Sequence, residues 1–163
     1  MERGLGVERK LINRWYVLSS KLNKEEILLR QLQSQGYEVF YPRYFTANGN
    51  TGRLQIRSYF PGYLFIRLDL TSVNQSTFQW MPNSEGLVCF EAHPAYVPDT
   101  LVEAIIKHVE KLNQARLIDM VNNSELDEVS GQRSGPSTHY DAIFNAGLSG
   151  DDRVKELLRM LEW

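Results

Sequence analysis

The segment 60–70, Phe-Pro-Gly-Tyr-Leu-Phe-Ile-Arg-Leu-Asp-Leu, constrains the fold more than any other part of the chain. In a strand, alternate residues point to opposite faces of the sheet. One face of this strand is purely aliphatic and is predicted to lie on the core: Leu64, Ile66, Leu68 and Leu70. The other face carries two neighbouring rings beside charge: Tyr63, Phe65, Arg67 and Asp69. A solvated sheet face gives no folding reason for two such rings. We therefore expect a helix of the same chain or a partner to cover them.

The remaining pattern alternates between strands and helices. Helices are predicted from Asn23 to near Gly36, from 73 to 80 and from 100 to 112. Asn23 with Glu26, and Thr100 with Glu103, have capping-box spacing. Strands are predicted over 15–20, 37–44, 57–70 and 87–91, with a turn-rich hairpin segment at 46–52. The order β-α-β-β-α-β-α predicts an α+β fold, in which helices flank an antiparallel four-stranded sheet.

Length and composition predict one ordinary domain with a small appendage, since the chain has 163 residues, 42% of them hydrophobic and 23% charged. We find no apolar run that approaches the roughly 18 residues of a membrane span, and no export signal at the start, so a cytoplasmic location is expected. Cys89 is the single cysteine and is predicted to be a small buried hydrophobe.

Charge is unevenly distributed along the chain. Residues 1–68 hold 11 Lys/Arg against 5 Asp/Glu, whereas residues 69–163 hold 7 Lys/Arg against 15 Asp/Glu. The basic half suits nucleic acid, and solvated faces are the alternative.

Enzyme chemistry finds no support in the sequence. The three histidines, His93, His108 and His139, have no second ligand at metal-binding spacing. The acidic pairs 25–26 and 151–152 fall in the first turns of predicted helices, where they stabilise the helix dipole. We therefore predict a protein that is not an enzyme and that needs no cofactor or metal.

Six segments follow one another in a characteristic order: Arg14 to Leu18, Asn23 to Glu26, Tyr37 to Pro42, Phe60 to Phe65, Gly86 to Phe90 and Pro94 to Asp99. Together they resemble the amino-terminal (NGN) domain of the NusG/RfaH family of bacterial transcription elongation factors. The resemblance covers roughly residues 14–113 and implies an RNA polymerase-binding domain over 14–115. It implies an elongation or antitermination factor that binds the polymerase clamp helices through an exposed apolar patch, and that suppresses pausing or modulates termination.

The resemblance also implies three sets of site residues. The polymerase-binding patch would contain Tyr63, Phe65, Val102 and Ile105, with core packing as the alternative for the last two. A second polymerase contact would be Asn74, Gln75, Ser76 and Thr77, with a helix cap and first turn as the alternative. Contacts to the non-template DNA strand would come from Lys21, Lys24, Arg30, Gln31 and Gln35, with a solvated helix face as the alternative.

The carboxy-terminal region departs from the family. Residues 116–139 are predicted to be a linker, and 140–163 to be a truncated, KOW-like or helical tail. The region lacks the first and closing strands of the family's five-stranded KOW barrel. The barrel's contacts with the termination factor Rho or a ribosomal protein are therefore not carried over. A helix is predicted over 149–163, with a stripe of Val154, Leu157, Leu158 and Leu161. We expect it to dock on its own amino-terminal domain around Tyr63 and Phe65, with a homodimer or a flexible tail as rivals.

A different kind of binding module is the alternative reading of the central strand. The segment from Gly62 to Ile66 resembles the aromatic strand of an RNA-recognition motif, in which rings stack on single-stranded bases. Trp15 and Tyr16 would supply the rings of a neighbouring strand. That motif also expects a basic surround, and the acidic second half of the chain argues against it.

Overall fold

An antiparallel sheet organises the first of the two units into which the chain divides. The computed structural model describes residues 13–122 and 140–162. The first unit contains the chain up to Tyr41 together with Gly62–Asp99, and the second contains Pro42–Pro61 together with the chain from Thr100 onward. The strands are β1 (Arg14–Ser20), β2 (Glu38–Phe40), β3 (Arg43–Ala47), β4 (Leu54–Ser58), β5 (Tyr63–Leu68), β6 (Ser84–Leu87), β7 (Cys89–Phe90), β8 (His93–Pro94) and β9 (Tyr96–Val97). The helices are α1 (Glu25–Ser34), α2 (Ser76–Trp80), α3 (Asp99–Val121) and α4 (Gly150–Leu161), and a 3-10 helix lies at Asp141–Phe144.

The main sheet has the strand order β2-β5-β1-β6, and the short β9 also pairs with β1. All of these pairings are antiparallel. The predicted α+β class and the four-stranded antiparallel sheet with flanking helices are confirmed, and β9 is an addition that its two-residue length hid from the sequence pattern.

The first face of this sheet forms the core of the first unit. Leu64 and Ile66 of β5 pack there with Leu28 and Leu32 of α1 and with Phe78 of α2. Each of these five side chains is fully buried. The prediction that the aliphatic face of β5 lies on the core is therefore confirmed, and the apolar stripe of α1 supplies the layer that covers it.

The start of α1 differs from the prediction. Asn23 adopts a left-handed conformation with φ 58°, and the helix begins only at Glu25, with Lys24 as an N-cap that makes no side-chain cap bond. The predicted capping box of Asn23 and Glu26 is therefore wrong, because an N-cap residue needs an extended backbone. The end of the helix is as predicted. Gly36 has φ 86°, and the Tyr37 N–H donates to the Leu32 carbonyl at 3.1 Å.

The predicted strand over 57–70 is divided in the structure. β4 ends at Ser58, and β5 begins at Tyr63 after Gly62, whose φ of +86° suits glycine. β3 and β4 form the predicted hairpin, in register from Arg43 opposite Ser58 to Ala47 opposite Leu54. This hairpin belongs to the second unit, whereas β5 belongs to the first.

Helix α3 joins the hairpin within the second unit and is longer than predicted. The Asn113 side chain accepts from the Phe45 N–H at 3.0 Å and donates to the Arg43 carbonyl at 3.3 Å. The helix continues to Val121, so residues 116–121 of the predicted linker are helical. Residues 123–139 of that linker, together with residues 1–12 and the last residue of the predicted tail helix, lie outside the described part of the chain.

Cys89 is exposed, so the prediction that it is a small buried hydrophobe is wrong. It lies in the two-residue strand β7, which pairs only with β8 in a separate small hairpin. A strand this short has little sheet around it to exclude water, even though its neighbours in sequence are apolar.

Candidate functional site

The second face of the main sheet brings together rings that the sequence pattern had only partly identified. Phe65 lies opposite Val17 of β1 and opposite Phe40 of β2. Directly opposite residues in an antiparallel pair share a face, and the rings of Phe40 and Phe65 stack with their centroids 6.0 Å apart. Tyr63 lies opposite Ser19 at one end of this face. We call Trp15, Val17, Phe40, Tyr63 and Phe65 the aromatic face.

Most of the predicted polymerase-binding patch is buried. Phe65 and Ile105 have 0% exposed surface, and Val102 has 2%. Tyr63 alone of the four is half-buried. The expectation of an exposed patch is therefore wrong for this conformation. The physical reason is that Phe65 continues an apolar surface through Val17 and Phe40, and such a surface is stable only when it is removed from water. Tyr63 and Phe65 belong to the first unit, and Val102 and Ile105 to the second.

Burial also argues against the RNA-recognition alternative. Trp15 and Tyr16 have 7% exposed surface each, and Tyr16 packs in the core on the first face of the sheet. Rings that stack on bases must present their flat surfaces to solvent. In this conformation neither ring, nor that of Phe65, can do so.

Charge is confined to one end of the aromatic face. Arg67 lies opposite Trp15 and opposite Glu38. Its guanidinium is 5.9 Å from the Trp15 ring centroid, and its Nη1 is 3.7 Å from a Glu38 carboxylate oxygen. Both partners of this ion pair are substantially exposed, so it fixes orientation more than it stabilises the fold.

The predicted second contact, Asn74 to Thr77, lies at the start of α2, whose N-cap residue Gln75 makes no side-chain cap bond. The Asn74 Oδ1 accepts from the backbone N–H and from the hydroxyl of Ser76, both at 3.0 Å. Asn74 and Ser76 therefore serve the first turn of the helix, as the alternative expected. Gln75 and Thr77 are exposed, and their role at a polymerase stays a prediction.

The structure divides the five residues of the predicted DNA-binding face. Lys21, Lys24 and Gln35 are exposed. Arg30 bonds Glu26 at 2.9 Å on the surface of α1, and Gln31 accepts from the Asn83 side chain at 3.3 Å. Lys21 and Lys24 therefore keep charge available for a phosphate, whereas Arg30 and Gln31 already have protein partners. The DNA-binding role of the set stays a prediction.

The predicted tail helix is present as α4 and has a well-formed amino-terminal cap. The Ser149 hydroxyl accepts from the Asp152 N–H at 3.1 Å and donates to its carboxylate at 2.8 Å. This bond lowers the pKa of Asp152 below its ordinary value. Leu157 is fully buried, and Val154 and Leu161 are nearly so. The predicted apolar stripe is thus confirmed as the packed side of α4.

The tail docks on the base of the β3–β4 hairpin. The buried Arg153 donates to the Tyr59 carbonyl at 3.3 Å, and its guanidinium lies 4.2 Å from the centroid of the Tyr59 ring. In turn the Tyr59 hydroxyl donates to the carbonyl of Ile143 at 2.7 Å. Burial raises the pKa of Tyr59 to about 12, although the positive charge of Arg153 opposes this. The tail therefore docks on the same chain, but these contacts lie at Tyr59 and not at Tyr63 and Phe65, where docking was expected.

His108 of α3 completes this cluster. Its ring lies 4.5 Å from that of Phe144 and 5.6 Å from that of Tyr59. Burial lowers the pKa of His108, and the positive charges of Arg153 and Lys111 lower it further. The histidine is therefore held in its neutral form, and it serves as a packing residue between α3 and the tail.

Sequence reasoning missed Trp15, Val17 and Phe40 on the aromatic face, although a signal for them existed. Alternation along β1 and β2 places these residues on one face once the antiparallel register with β5 is known. It also missed Tyr59, His108 and Arg153. Their meeting depends on contacts between distant segments, for which one sequence holds no local signal.

Neither a metal site nor a membrane-spanning helix is found within residues 13–122 and 140–162. No group of three or more histidine, cysteine or acidic side chains there could hold a metal ion. None of the helices described is both long enough and apolar enough to cross a membrane.

One of three comparisons with known proteins shows the family. The family model described as transcription termination factor NusG matches residues 13–106. A solved structure described as domain interaction in Thermotoga maritima NusG aligns with a TM-score of 0.39 and 18% sequence identity. That alignment covers 63% of this chain and 58% of the other, so the chain spans less than two thirds of that relative. The comparison with curated proteins found no match.

Proposed function

This chain belongs to the NusG family of transcription factors, and from that premise we propose that it binds RNA polymerase during elongation and suppresses pausing or modulates termination. The proposed contact is the aromatic face, above all Tyr63 and Phe65, and the family resemblance implies Val102 and Ile105 of α3 as further contact residues. The receiving element of the polymerase is its clamp helices, as the family resemblance implies.

The composition of the sheet is the observation that carries this proposal. Its first face already holds the core of the unit, built from Leu64, Ile66, Leu28 and Leu32. The second face adds the stacked rings of Phe40 and Phe65. Such an aromatic surface, on the opposite side of the sheet from Leu64 and Ile66, suits a protein partner once it is opened, because buried aromatic side chains dominate the energetics of many interfaces.

Polymerase binding requires a second conformation. A ring with no exposed surface, such as that of Phe65, cannot receive a partner. The partner must therefore bind a minor state in which the aromatic face is accessible, and its differential affinity for that state must supply the free energy of opening.

Tyr63→Ala tests the contact more cleanly than a change at Phe65. Removal of the buried Phe65 ring would cost about 3–5 kcal/mol of folding free energy, so lost binding would be ambiguous. Tyr63 is half-buried at the end of the face, and its ring is worth about 1.5–3 kcal/mol when a partner buries it. We expect Tyr63→Ala to weaken binding to purified polymerase by about tenfold or more, measured by a fluorescence titration.

Tyr96→Ala is the matched control. Tyr96 lies on β9 of the same sheet, but pairs with Tyr16, whose side chain packs on the first face, and 46% of it is exposed. Its truncation should leave polymerase affinity unchanged. If the folded Tyr63→Ala protein binds as tightly as the wild type, the aromatic face is not the contact.

A further inference from the structure

A groove of about 350 Å³ lies within the second unit, where β3, α3 and α4 meet. Its walls are largely apolar and include the rings of Tyr44 and Phe144 and the side chains of Leu112 and Ala115. This volume is within the range of small-molecule sites, which are commonly apolar with a few polar groups that fix the ligand. The groove is separate from the aromatic face on which the proposed polymerase contact depends.

The buried charge of Arg153 lines this groove and has no ion-pair partner among residues 13–122 and 140–162. Arg153 has 8% exposed surface, and its Nη1 donates to the Tyr59 carbonyl at 3.3 Å. Its Nε is buried and has no hydrogen-bond partner within the described residues. Among the ion pairs of those residues, none involves Arg153. A buried guanidinium with an unpaired N–H lowers the stability of the fold unless a further acceptor bonds it.

The groove as a whole favours an anion. Arg116 lines it together with Arg153, against Asp119 as the single acid of the lining. Arginine presents planar N–H donors that match the oxygen pairs of a carboxylate or phosphate. The guanidinium of Arg153 is also held in place by the rings of Tyr59 and Tyr44, at 4.2 Å and 5.4 Å from their centroids. The donor is thus oriented in advance, which reduces the entropy lost on binding.

We propose that this groove binds a small organic anion, with its carboxylate or phosphate on Arg153 and Arg116 and its apolar, planar body between Tyr44 and Phe144. Such a ligand would contact the hairpin, α3 and the tail at once. Because it binds the docked tail and not the released one, it stabilises the docked conformation by mass action.

A titration of the full chain with benzoate tests the proposal, and benzamide is the matched neutral probe. The ¹H–¹⁵N spectrum reports backbone amides around the groove and the Nε–H of Arg153, with ionic strength held constant by sodium chloride. We expect saturable shifts with benzoate, at a Kd of about 1 mM for so small a fragment, and none with benzamide. Equal shifts with both probes, or none with benzoate, would overturn anion recognition.

Two arginine substitutions locate the site. Arg116→Gln changes a partly exposed residue on the groove and should weaken benzoate binding several-fold, while Arg153→Gln should abolish it. Arg159→Gln, on the same helix as Arg153 but paired with Glu156 on the surface, should leave it unchanged. If Arg153→Gln does not fold, the Arg116→Gln variant and the benzamide titration still decide whether the groove binds an anion. Benzoate binding that is indifferent to Arg116→Gln places the anion elsewhere and refutes the site.

Discussion

At the scale of single residues, His108 shows how one side chain links packing to pH. Its ring is packed against Phe144 and Tyr59, with the fixed charge of Arg153 nearby. Burial lowers the pKa of the folded histidine below its ordinary value of 6.5, and Arg153 and Lys111 lower it further. In the unfolded chain neither burial nor these two charges lowers the pKa of the histidine. The unfolded state therefore binds more protons than the folded state between these two pKa values.

The expected result is a loss of stability as the pH falls. The contribution of His108 is intact above pH 6.5 and is lost progressively down to its lowered native pKa, below which no further loss occurs. Urea unfolding at pH 7 and pH 5 measures this. The fall in unfolding free energy should be smaller for His108→Gln than for the wild type, because glutamine does not titrate. His93→Gln, at an exposed position on β8, should keep the wild-type fall. Identical pH dependence in wild type and His108→Gln would contradict the assignment.

At the scale of elements, the sequence predicted the structure correctly wherever residues close together in the chain determine it. Alternation predicted the core face of β5, and the 3.6-residue period predicted the apolar stripe of α4. Predictions failed where a neighbour in space decided the outcome. The Asn23 and Glu26 spacing matched a capping box, but Asn23 took a left-handed φ. The aromatic face was identified from β5 alone, and its cover was left open between a helix of the same chain and a partner, because Val17 and Phe40 join it only through strand register.

Docking of α4 depends on a close approach at its first residue. A Cβ at Gly150 would lie 2.7 Å from Cγ and 2.9 Å from Cδ of Pro61, both in a rigid ring. We expect Gly150→Ala to weaken the docking of α4, although alanine favours the helix itself. Amide hydrogen exchange of residues 150–161 measures this directly, and their protection should fall.

Gly49→Ala is the control for that substitution, since a Cβ at Gly49 meets no atom within 4 Å. Its effect on exchange in α4 should be negligible. If Gly150→Ala leaves the protection of α4 at the wild-type level, Pro61 must shift at little cost, and the contact is not what holds the tail in place.

At the scale of the whole molecule, the fully buried Phe65 ring requires an opening step before any partner can use the aromatic face. Helix α4 has 12 residues, and isolated helices shorter than about 12–15 residues are marginal in water. The helix therefore depends on its docking for stability. We propose that its release from Tyr59 accompanies this opening step, because a marginal helix is among the first elements to open locally. We expect the tail to be autoinhibitory, as an extension of the proposed polymerase binding.

A chain that ends at Asn122 tests autoinhibition against its rivals. This end point retains all of α3 and the bonds from Asn113 to the hairpin. Circular dichroism establishes that the shortened chain is folded, and light scattering gives its oligomeric state. Tighter binding to polymerase by the shortened chain, with both chains monomeric, is the expected result, because the truncation removes the cost of undocking the tail. Equal affinities would dismiss autoinhibition, and a dimer that disappears on truncation would favour pairing of two tails. If neither chain binds, the polymerase proposal fails, while the docking of α4 on Tyr59 stands independently.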